Sequence, residues 1–328
     1  MPPTMLAARI HRHGGPEVLT LEQVLVPPTG PNDVRIRHSA IGLNFAEVYQ
    51  RRGEAGPHHE TRFPTILGGQ GAGVVAEVGA NVTGFAVGDP VGYIYAGAYA
   101  AESVVPAARV VPLPAGISAD IAAAWLLRGM TAEYLLHRLY RVEPGETVLV
   151  HAAAGGMGQI LSQWANALGA RVIGTVGSPA KIPLARASGC DAVIDYAAED
   201  FAARVRDLTG GAGVPVVYDA VGRDVFLPSL DCLRPRGWLV SYGAASGPVG
   251  AFDLQLLHRK SLIVTRPTLG SFVATTEDLR ASAATFFAAV ASGAVKPEIA
   301  HRYALADVRQ AHEDLESRRT TGASILIP

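Results

Sequence analysis

Two hydrophobic patterns divide the chain. In residues 1–125, short apolar runs such as 73–78 alternate with Gly and Pro, which is typical of irregular β structure. From about residue 147, continuous apolar segments alternate with stretches of helical periodicity. Continuous apolar strands separated by helices indicate a parallel sheet that is covered on both faces. The fold class that follows is α/β.

The same pattern predicts individual elements. Strands of the parallel sheet are predicted at 147–150, 171–176, 192–195, 214–218, 237–241 and 261–265. Helices are predicted at 121–140, about 158–168, from about 179, at 277–292 and at about 305–318. Prolines make 26–28 and 111–114 turns or connectors rather than central strands. We expect a β-rich domain at 1–125, a dinucleotide-type domain at 126–267, and a segment 268–328 that completes the first domain.

Composition narrows the class of protein. The chain has 328 residues, 49% hydrophobic and 17% charged, with a formal net charge of −1. These values exclude a disordered chain, and the absence of a basic run argues against a nucleic-acid partner. The sequence contains no apolar stretch of about 18 residues, so it predicts no membrane span. Two cysteines, Cys190 and Cys232, and no recognisable signal peptide favour a cytoplasmic location.

A glycine-rich turn is the strongest local signal. It follows the strand at 147–150, opens a helix, and reads A-x-G-x-x-G from Ala153. Gly155 would let the backbone approach a pyrophosphate, and Gly158 would let the helix pack closely on the strand. The start of the helix would supply free N–H groups to the phosphates. The alternative is a structural turn without a nucleotide.

The choice between NAD and NADP depends on a missing acid. An NAD site usually carries Asp or Glu about 20 residues after the glycine turn. Here no acidic residue occurs between Thr147 and Cys190, and Lys181 follows the second strand. Because a 2′-phosphate needs cations and is repelled by a carboxylate, the sequence predicts NADPH. Lys181 alone would also fit an exposed helix lysine.

With these residues, the chain resembles the zinc-independent quinone oxidoreductases, the zeta-crystallin-like branch of the medium-chain dehydrogenases/reductases, over essentially its whole length. The matching pieces are GLNFAEVYQRRG at 42–53, HAAAGGMG at 151–158, YDAVG at 218–222, VTRP at 264–267 and ESR at 316–318. The resemblance implies a GroES-like β-rich catalytic domain and a Rossmann domain with a doubly wound parallel sheet, with NADPH in the cleft between them.

The resemblance also implies the cofactor contacts. Lys181, Tyr196 and Arg318 would surround the 2′-phosphate, as two cations and a phenol suit a phosphate dianion. Arg318 could instead be a solvated helix end beside Arg319. The other implied cofactor-binding residues are Asn44, Thr131, Gly155, Gly156, Met157, Gly158, Gly174, Ser178, Val221, Tyr242 and Gly243.

We predict no metal. Zinc-dependent relatives carry a Gly-His-Glu segment where this chain reads LGGQGAG at 67–73, with Gln70 at a position that is often Glu. Two cysteines cannot form a Cys-rich zinc site. The pair His58–His59 lacks a third ligand at a suitable spacing and fits an exposed loop, and His11 and His13 fit an exposed turn.

Without zinc, negative charge that develops on a substrate oxygen needs hydrogen-bond donors. Asn44 and Tyr49, in the substrate-side motif, are the candidate catalytic residues, through an amide and a phenol. The alternative is that both only shape the pocket. Ala55, near a position that is often Tyr, and Arg128, in place of a common Lys, leave the substrate open.

These features predict an enzyme that reduces a small-molecule quinone with NADPH. Reduction of α,β-unsaturated aldehydes or ketones is the close alternative, because a quinone is itself a conjugated dicarbonyl. A non-catalytic NADPH- or RNA-binding role is the third. The apolar segment from Ser261 to Thr265 would be an edge strand, and family members pair this edge, which predicts a homodimer.

Overall fold

The computed structural model describes residues 3–54, 60–317 and 320–328. These residues form two compact units. The first contains residues 1–127, 275–287 and 297–328, and the second contains residues 128–274 and 288–296, apart from the positions that are not described. Within the described residues, every helix is too short or too polar to serve as a membrane span.

The described residues form strands and helices in the following order. The strands are β1 Thr4–Ile10, β2 Thr20–Leu25, β3 Asp33–Leu43, β4 Thr65–Ile66, β5 Gln70–Val78, β6 Pro90–Ile94, β7 Glu102–Pro106, β8 Val110–Pro112, β9 Thr147–Val150, β10 Arg171–Val176, β11 Ala192–Asp195, β12 Val214–Asp219, β13 Leu233–Ser241, β14 Ile263–Thr265, β15 Ile299–Ala304 and β16 Ala323–Ile327. The α-helices are α1 Phe45–Arg52, α2 Ala119–Glu133, α3 Gly156–Ala167, α4 Ile182–Ala187, α5 Phe201–Leu208, α6 Phe226–Cys232, α7 Gln255–His258, α8 Leu269–Phe272, α9 Thr276–Ala291 and α10 Val308–Glu316.

The first unit is built on mostly antiparallel strands, with one parallel pair, β15 and β16. One sheet runs β15-β16-β3-β5-β6-β8, with β7 also paired to β3, and a smaller sheet runs β2-β1-β4. Ile36 and Val34 alternate with half-buried residues along the first part of β3 and enter the core. Helices α1 and α10 are joined by ion pairs of Arg51 and Arg52 with Glu316. This unit is the GroES-like, β-rich domain of the predicted fold class.

The second unit contains a six-stranded sheet in the order β11-β10-β9-β12-β13-β14, with parallel pairing throughout. This is the Rossmann order, and the direction of strand order reverses between β9 and β12. Strand β12 is buried at every residue, as expected for a sheet covered on both faces. The predicted α/β fold class is confirmed.

Several predicted boundaries were wrong. The α-helix predicted at 121–140 ends at Glu133. A π-helical turn follows it over Tyr134–Leu139. The residues predicted as a connector at 111–114 include the end of β8, which pairs with β6 at a sheet edge. Ser261 has a φ of 50° and lies outside the last strand, which has three residues. The helix predicted from 305 begins with a 3-10 turn, Leu305–Asp307.

Candidate functional site

The glycine turn connects β9 to α3 in the second unit. The helix is capped by Gly155, which offers no side chain to the first N–H groups of the helix. A Cβ on Gly158 would lie 2.2 Å from the Ala152 carbonyl oxygen and 2.6 Å from the Ala153 Cα. Only a glycine fits at 158, because the helix lies directly against the turn. Gly156, Met157 and Gly158 thus present backbone N–H groups, a cradle suited to a phosphate.

The end of β10 gathers a second set of predicted residues. Gly177 follows the strand, and a Cβ there would lie 2.7 Å from the Tyr196 hydroxyl. Tyr196 follows β11 and donates its backbone N–H to the Val176 carbonyl at 3.1 Å. Ser178 is the N-cap of a short 3-10 helix, Pro179–Lys181. The chain therefore places a phenol and a lysine in the segments that leave two adjacent strands.

Gly174 lies inside β10 and is buried. A Cβ at this position would lie 2.6 Å from the Cys190 sulfur and 2.8 Å from the Ala153 Cβ. The glycine therefore lets β10 pack against the beginning of the glycine turn. Its role seen in the structure is close packing behind the turn.

Two loops at the ends of β12 and β13 form the third part of the site. Val221 follows β12, and Tyr242 and Gly243 follow β13. Asp219 joins them: its Oδ1 accepts the Val221 N–H at 2.7 Å, and its carbonyl accepts the Tyr242 N–H at 2.9 Å. Asp219 belongs to the YDAVG motif at 218–222, which by itself indicates no role for the carboxylate. An Asp directly after a buried strand and before a glycine is the signal for such a turn.

The glycine turn and both sets of loops lie at the carboxyl ends of parallel strands, on both sides of the point where strand order reverses. Ligands of open α/β sheets bind at such a point. Thr131 is buried in α2 and belongs to the same unit by chain segment. Arg318 lies outside the described residues.

His151 lies buried at the start of the glycine turn. Its Nδ1 is 2.8 Å from the Thr175 hydroxyl and its Nε2 is 2.8 Å from the Ser229 hydroxyl. Because Ser229 donates its proton to the Val225 carbonyl at 2.6 Å, we assign the ring proton to Nε2 and the accepting role to Nδ1. Burial lowers the pKa of His151 to about 3. The ring is therefore a neutral support for the turn.

Asn44 and Tyr49 lie in the first unit on α1. Asn44 caps the helix, is 6% exposed, and donates its backbone N–H to Glu47 Oε2 at 2.7 Å. The other Glu47 oxygen accepts the Gly69 N–H at 3.0 Å, so one buried carboxylate ties the helix start to the neighbouring turn. The Asn44 Nδ2 is buried and has no hydrogen-bond partner within the described part of the chain. Tyr49 is partly buried, with its ring 6.1 Å from that of Phe45.

Gln70 of the LGGQGAG segment is the first residue of β5. Its side chain is fully buried, and Nε2 donates to the Ala123 carbonyl at 2.6 Å while Oε1 accepts the Leu127 N–H at 2.9 Å. Gly42 provides the space, because a Cβ there would lie 2.2 Å from Gln70 Nε2. Both polar atoms of the amide are used to attach β5 to α2. Gln70 therefore serves packing rather than binding.

Among residues 3–54, 60–317 and 320–328, no group of three or more His, Cys, Asp or Glu side chains could hold a metal ion. His11 and His13 are exposed, as expected, and His11 pairs with Glu22 at 2.5 Å. His58, His59 and Ala55 lie outside the described residues. Arg128 is buried in α2.

Comparisons with known proteins agree with this geometry. Residues 30–115 match the family model of the alcohol dehydrogenase GroES-like domain, and residues 156–289 match that of the zinc-binding dehydrogenases. A quinone oxidoreductase of Pseudomonas aeruginosa is 48% identical over 96% of this chain and 97% of its own. A 2-haloacrylate reductase of a Burkholderia species is 42% identical over 99% of both.

A solved structure extends the likeness to three dimensions. The crystal structure of an Escherichia coli quinone oxidoreductase complexed with NADPH superposes with a TM-score of 0.95 at 43% identity, over 98% of this chain and 100% of that one. With 42–48% identity over nearly full length to proteins of this kind, the chain belongs to the quinone oxidoreductases, the zeta-crystallin-like branch of the medium-chain dehydrogenase/reductase superfamily.

Proposed function

We propose that the chain is an enzyme that reduces quinones with NADPH. The main support is that the glycine turn, the segments carrying Lys181 and Tyr196, and the β12 and β13 loops all follow the carboxyl ends of strands in one parallel sheet. Membership of the quinone oxidoreductases supplies the reaction class. The relative solved with NADPH supports the cofactor.

The residues present fit NADPH. The N–H groups of Gly156, Met157 and Gly158 would take the diphosphate, because Gly155 leaves them uncapped and Gly158 keeps the helix close. Lys181 and Tyr196 would hold the 2′-phosphate together with Arg318, while Gly174 and Ser178 shape β10 and its end. Val221, Tyr242 and Gly243 would line the other half of the cofactor, with Thr131 beside them.

The bound nicotinamide would supply the electrons, and this chain would orient the acceptor and stabilise charge on its oxygen. We assign the oxygen-facing donors to Asn44 and Tyr49. The Asn44 Nδ2 carries hydrogens that no acceptor in the described residues takes up, so the amide can donate to a carbonyl oxygen. We further propose that the reaction needs no metal, because Gln70 uses both of its polar atoms within the protein.

Steady-state NADPH oxidation tests this assignment. We expect turnover with a panel of quinones and a large loss when Asn44 is replaced by Ala, because one donor to a developing oxyanion contributes about 10²–10³-fold in rate. Asn81→Ala is the matched control, since that asparagine pairs with Asn32 on an exposed surface. If the protein oxidises NADPH with no member of the quinone panel, the proposed quinone reduction is refuted.

Reduction of α,β-unsaturated carbonyl compounds is the second candidate, favoured by the 2-haloacrylate reductase relative. An enone panel measured beside the quinones separates the two. Turnover of enones without quinones would replace the first proposal by the second.

We also propose a homodimer formed through β14, Ile263–Thr265. This strand is the end of the six-stranded sheet in the described residues, and Ile263 is 37% exposed. An apolar edge strand favours pairing with another chain. A monomer mass in light scattering at micromolar concentration would refute the dimer. The free thiols Cys190 and Cys232 suit a reducing compartment, so we propose the cytoplasm as the location.

A further inference from the structure

Asp219 lies where two loops of the candidate site meet. It is fully buried at the end of β12. Its Oδ1 accepts two backbone N–H groups of the loop that follows, from Val221 at 2.7 Å and from Gly222 at 2.9 Å. Its carbonyl accepts two more from the loop after β13, from Tyr242 at 2.9 Å and from Gly243 at 3.2 Å. One residue therefore anchors both loops.

The two loops are also pressed against each other. A Cβ on Gly243 would lie 2.6 Å from the Ala220 carbonyl oxygen, and a Cβ on Gly222 would lie 2.7 Å from that of Gly247. The Ala220 carbonyl accepts the N–H of Ala245 at 3.1 Å. Because there is no room for even a Cβ between the two loops and a backbone hydrogen bond joins them, a displacement of one loop must displace the other.

Arg266, the residue directly after β14, supports the same region. Its Nη1 donates to the Ser241 carbonyl at 3.0 Å and to the Gly243 carbonyl at 2.6 Å. Burial raises the pKa of Asp219 to about 6, opposed by its hydrogen bonds from Gly222 and Val221 and by the charge of Arg266. The second carboxylate oxygen, Oδ2, is buried with no hydrogen-bond partner in the described chain. Burial therefore disfavours the ionised carboxylate, and its hydrogen bonds from the loop and the charge of Arg266 offset part of that cost.

We propose that Asp219 is a positioning residue: its carboxylate and carbonyl hold the loops 220–222 and 242–243 in the arrangement that orients the nicotinamide half of the cofactor. This inference rests on the proposed function, and it adds a role that acts only through the loops. The Rossmann fold binds a dinucleotide across the point where strand order reverses. Since Lys181 follows β10 and Tyr196 follows β11, the 2′-phosphate half lies on that side, and the nicotinamide half falls to β12 and β13.

Two substitutions at Asp219 distinguish the loss of the hydrogen-bond acceptor from other effects of changing the side chain. Asp219→Ala removes the acceptor, whereas Asp219→Asn keeps an oxygen for both N–H groups. Asp191→Asn is the matched control, because Asp191 Oδ2 also accepts a backbone N–H, from Val172 at 2.7 Å, at the opposite end of the sheet. Hydrogen exchange of the cofactor-free protein measures how firmly the two loops are held. Steady-state kinetics with NADPH and a quinone measure the effect on kcat and KM.

With Asp219→Ala we expect faster exchange at 220–222 and 242–247, unchanged exchange at 151–158, and a fall in kcat of about tenfold or more. The KM for NADPH should rise by less than about threefold, because the glycine turn and the β10 end still hold the other half of the cofactor. Asp219→Asn should restore kcat to within about threefold of the original, and Asp191→Asn should change neither value.

Three results would overturn the proposal. They are unchanged exchange in the two loops of Asp219→Ala, faster exchange there with an unchanged kcat, and equal losses in Asp219→Ala and Asp219→Asn. A wild-type protein that does not oxidise NADPH would instead refute the proposed function, and the exchange of the two loops would still show whether Asp219 anchors them.

Discussion

Replacing Gln70 by Glu changes one buried atom from a donor to an acceptor. The Gln70 Nε2 donates to the Ala123 carbonyl at 2.6 Å, so an ionised glutamate at this position would set a carboxylate oxygen against a carbonyl oxygen with no hydrogen between them. The other contact, from the Leu127 N–H at 2.9 Å, survives. Because the site is fully buried, water cannot compensate.

Protonation of the introduced glutamate limits how far Gln70→Glu can lower the free energy of unfolding. A protonated glutamate in the same place can donate to Ala123 and accept from Leu127, so it restores both hydrogen bonds. The free-energy penalty at a given pH is then at most that of protonating a carboxyl with an unfolded pKa of about 4.3, or about 1.4 kcal/mol per pH unit above it. At about pH 7.5 we expect a loss of about 4 kcal/mol in the free energy of unfolding, and near pH 4.5 almost none.

The sign follows from the raised pKa of the introduced carboxyl in the folded state. Its stabilising protonated form persists at low pH, and stability falls as pH rises through the titration. Urea unfolding of wild type, Gln70→Glu and Gln70→Met between about pH 5 and about pH 8 measures it. Gln70→Met loses both hydrogen bonds at every pH, so its deficit should be constant, at about 2–4 kcal/mol. A deficit of Gln70→Glu that is equal at both ends of the range would refute the reasoning.

Three further changes have definite expected outcomes. Lys181→Ala should raise the dissociation constant for NADPH about tenfold or more and leave that for NADH nearly unchanged, measured by fluorescence titration; equal losses would remove Lys181 from the 2′-phosphate site. Gly158→Ala should abolish tight NADPH binding, because its Cβ would lie 2.2 Å from the Ala152 carbonyl oxygen, and unchanged binding would show that the turn can yield. Burial lowers the pKa of His38 to about 4 and that of His151 to about 3, so both stay neutral in the fold while the unfolded chain takes up protons below about pH 6.5. Each should therefore remove about 1.4 kcal/mol of stability per pH unit as pH falls from about 6 to about 4, and a His38→Gln variant should show a shallower dependence in urea unfolding.

The sequence was most informative where local chemistry and pattern agree. The glycine turn could be placed because Gly155 and Gly158 stand between an apolar strand and a helix, and the structure puts them there. The parallel sheet followed from continuous apolar segments, which keep their character when both faces are covered. These signals are local, so they can be recognised without knowing which strands will pair.

Features that depend on partners distant in sequence could not be predicted. Nothing near Val110–Pro112 shows that β6 will pair with it, and the apolar run at 261–265 gives no sign that Ser261 adopts a positive φ. The sequence marks Gln70 only as an amide at a position that is often Glu, whereas its role comes from α2, about 50 residues later. The second set of Asp219 contacts is made by the loop after β13, more than 20 residues later in the sequence.

The pairing of β16 with β3 has a consequence for the order in which the protein forms during synthesis. Strand β3 spans Asp33–Leu43, yet one of its neighbours, Ala323–Ile327, is synthesised only after the whole of 128–296. Glu316, the ion-pair partner of the buried Arg51, arrives equally late. We therefore expect the Rossmann unit to become protease-resistant on stalled nascent chains first, while the β-rich unit waits, exposed to chaperones, for its last strand.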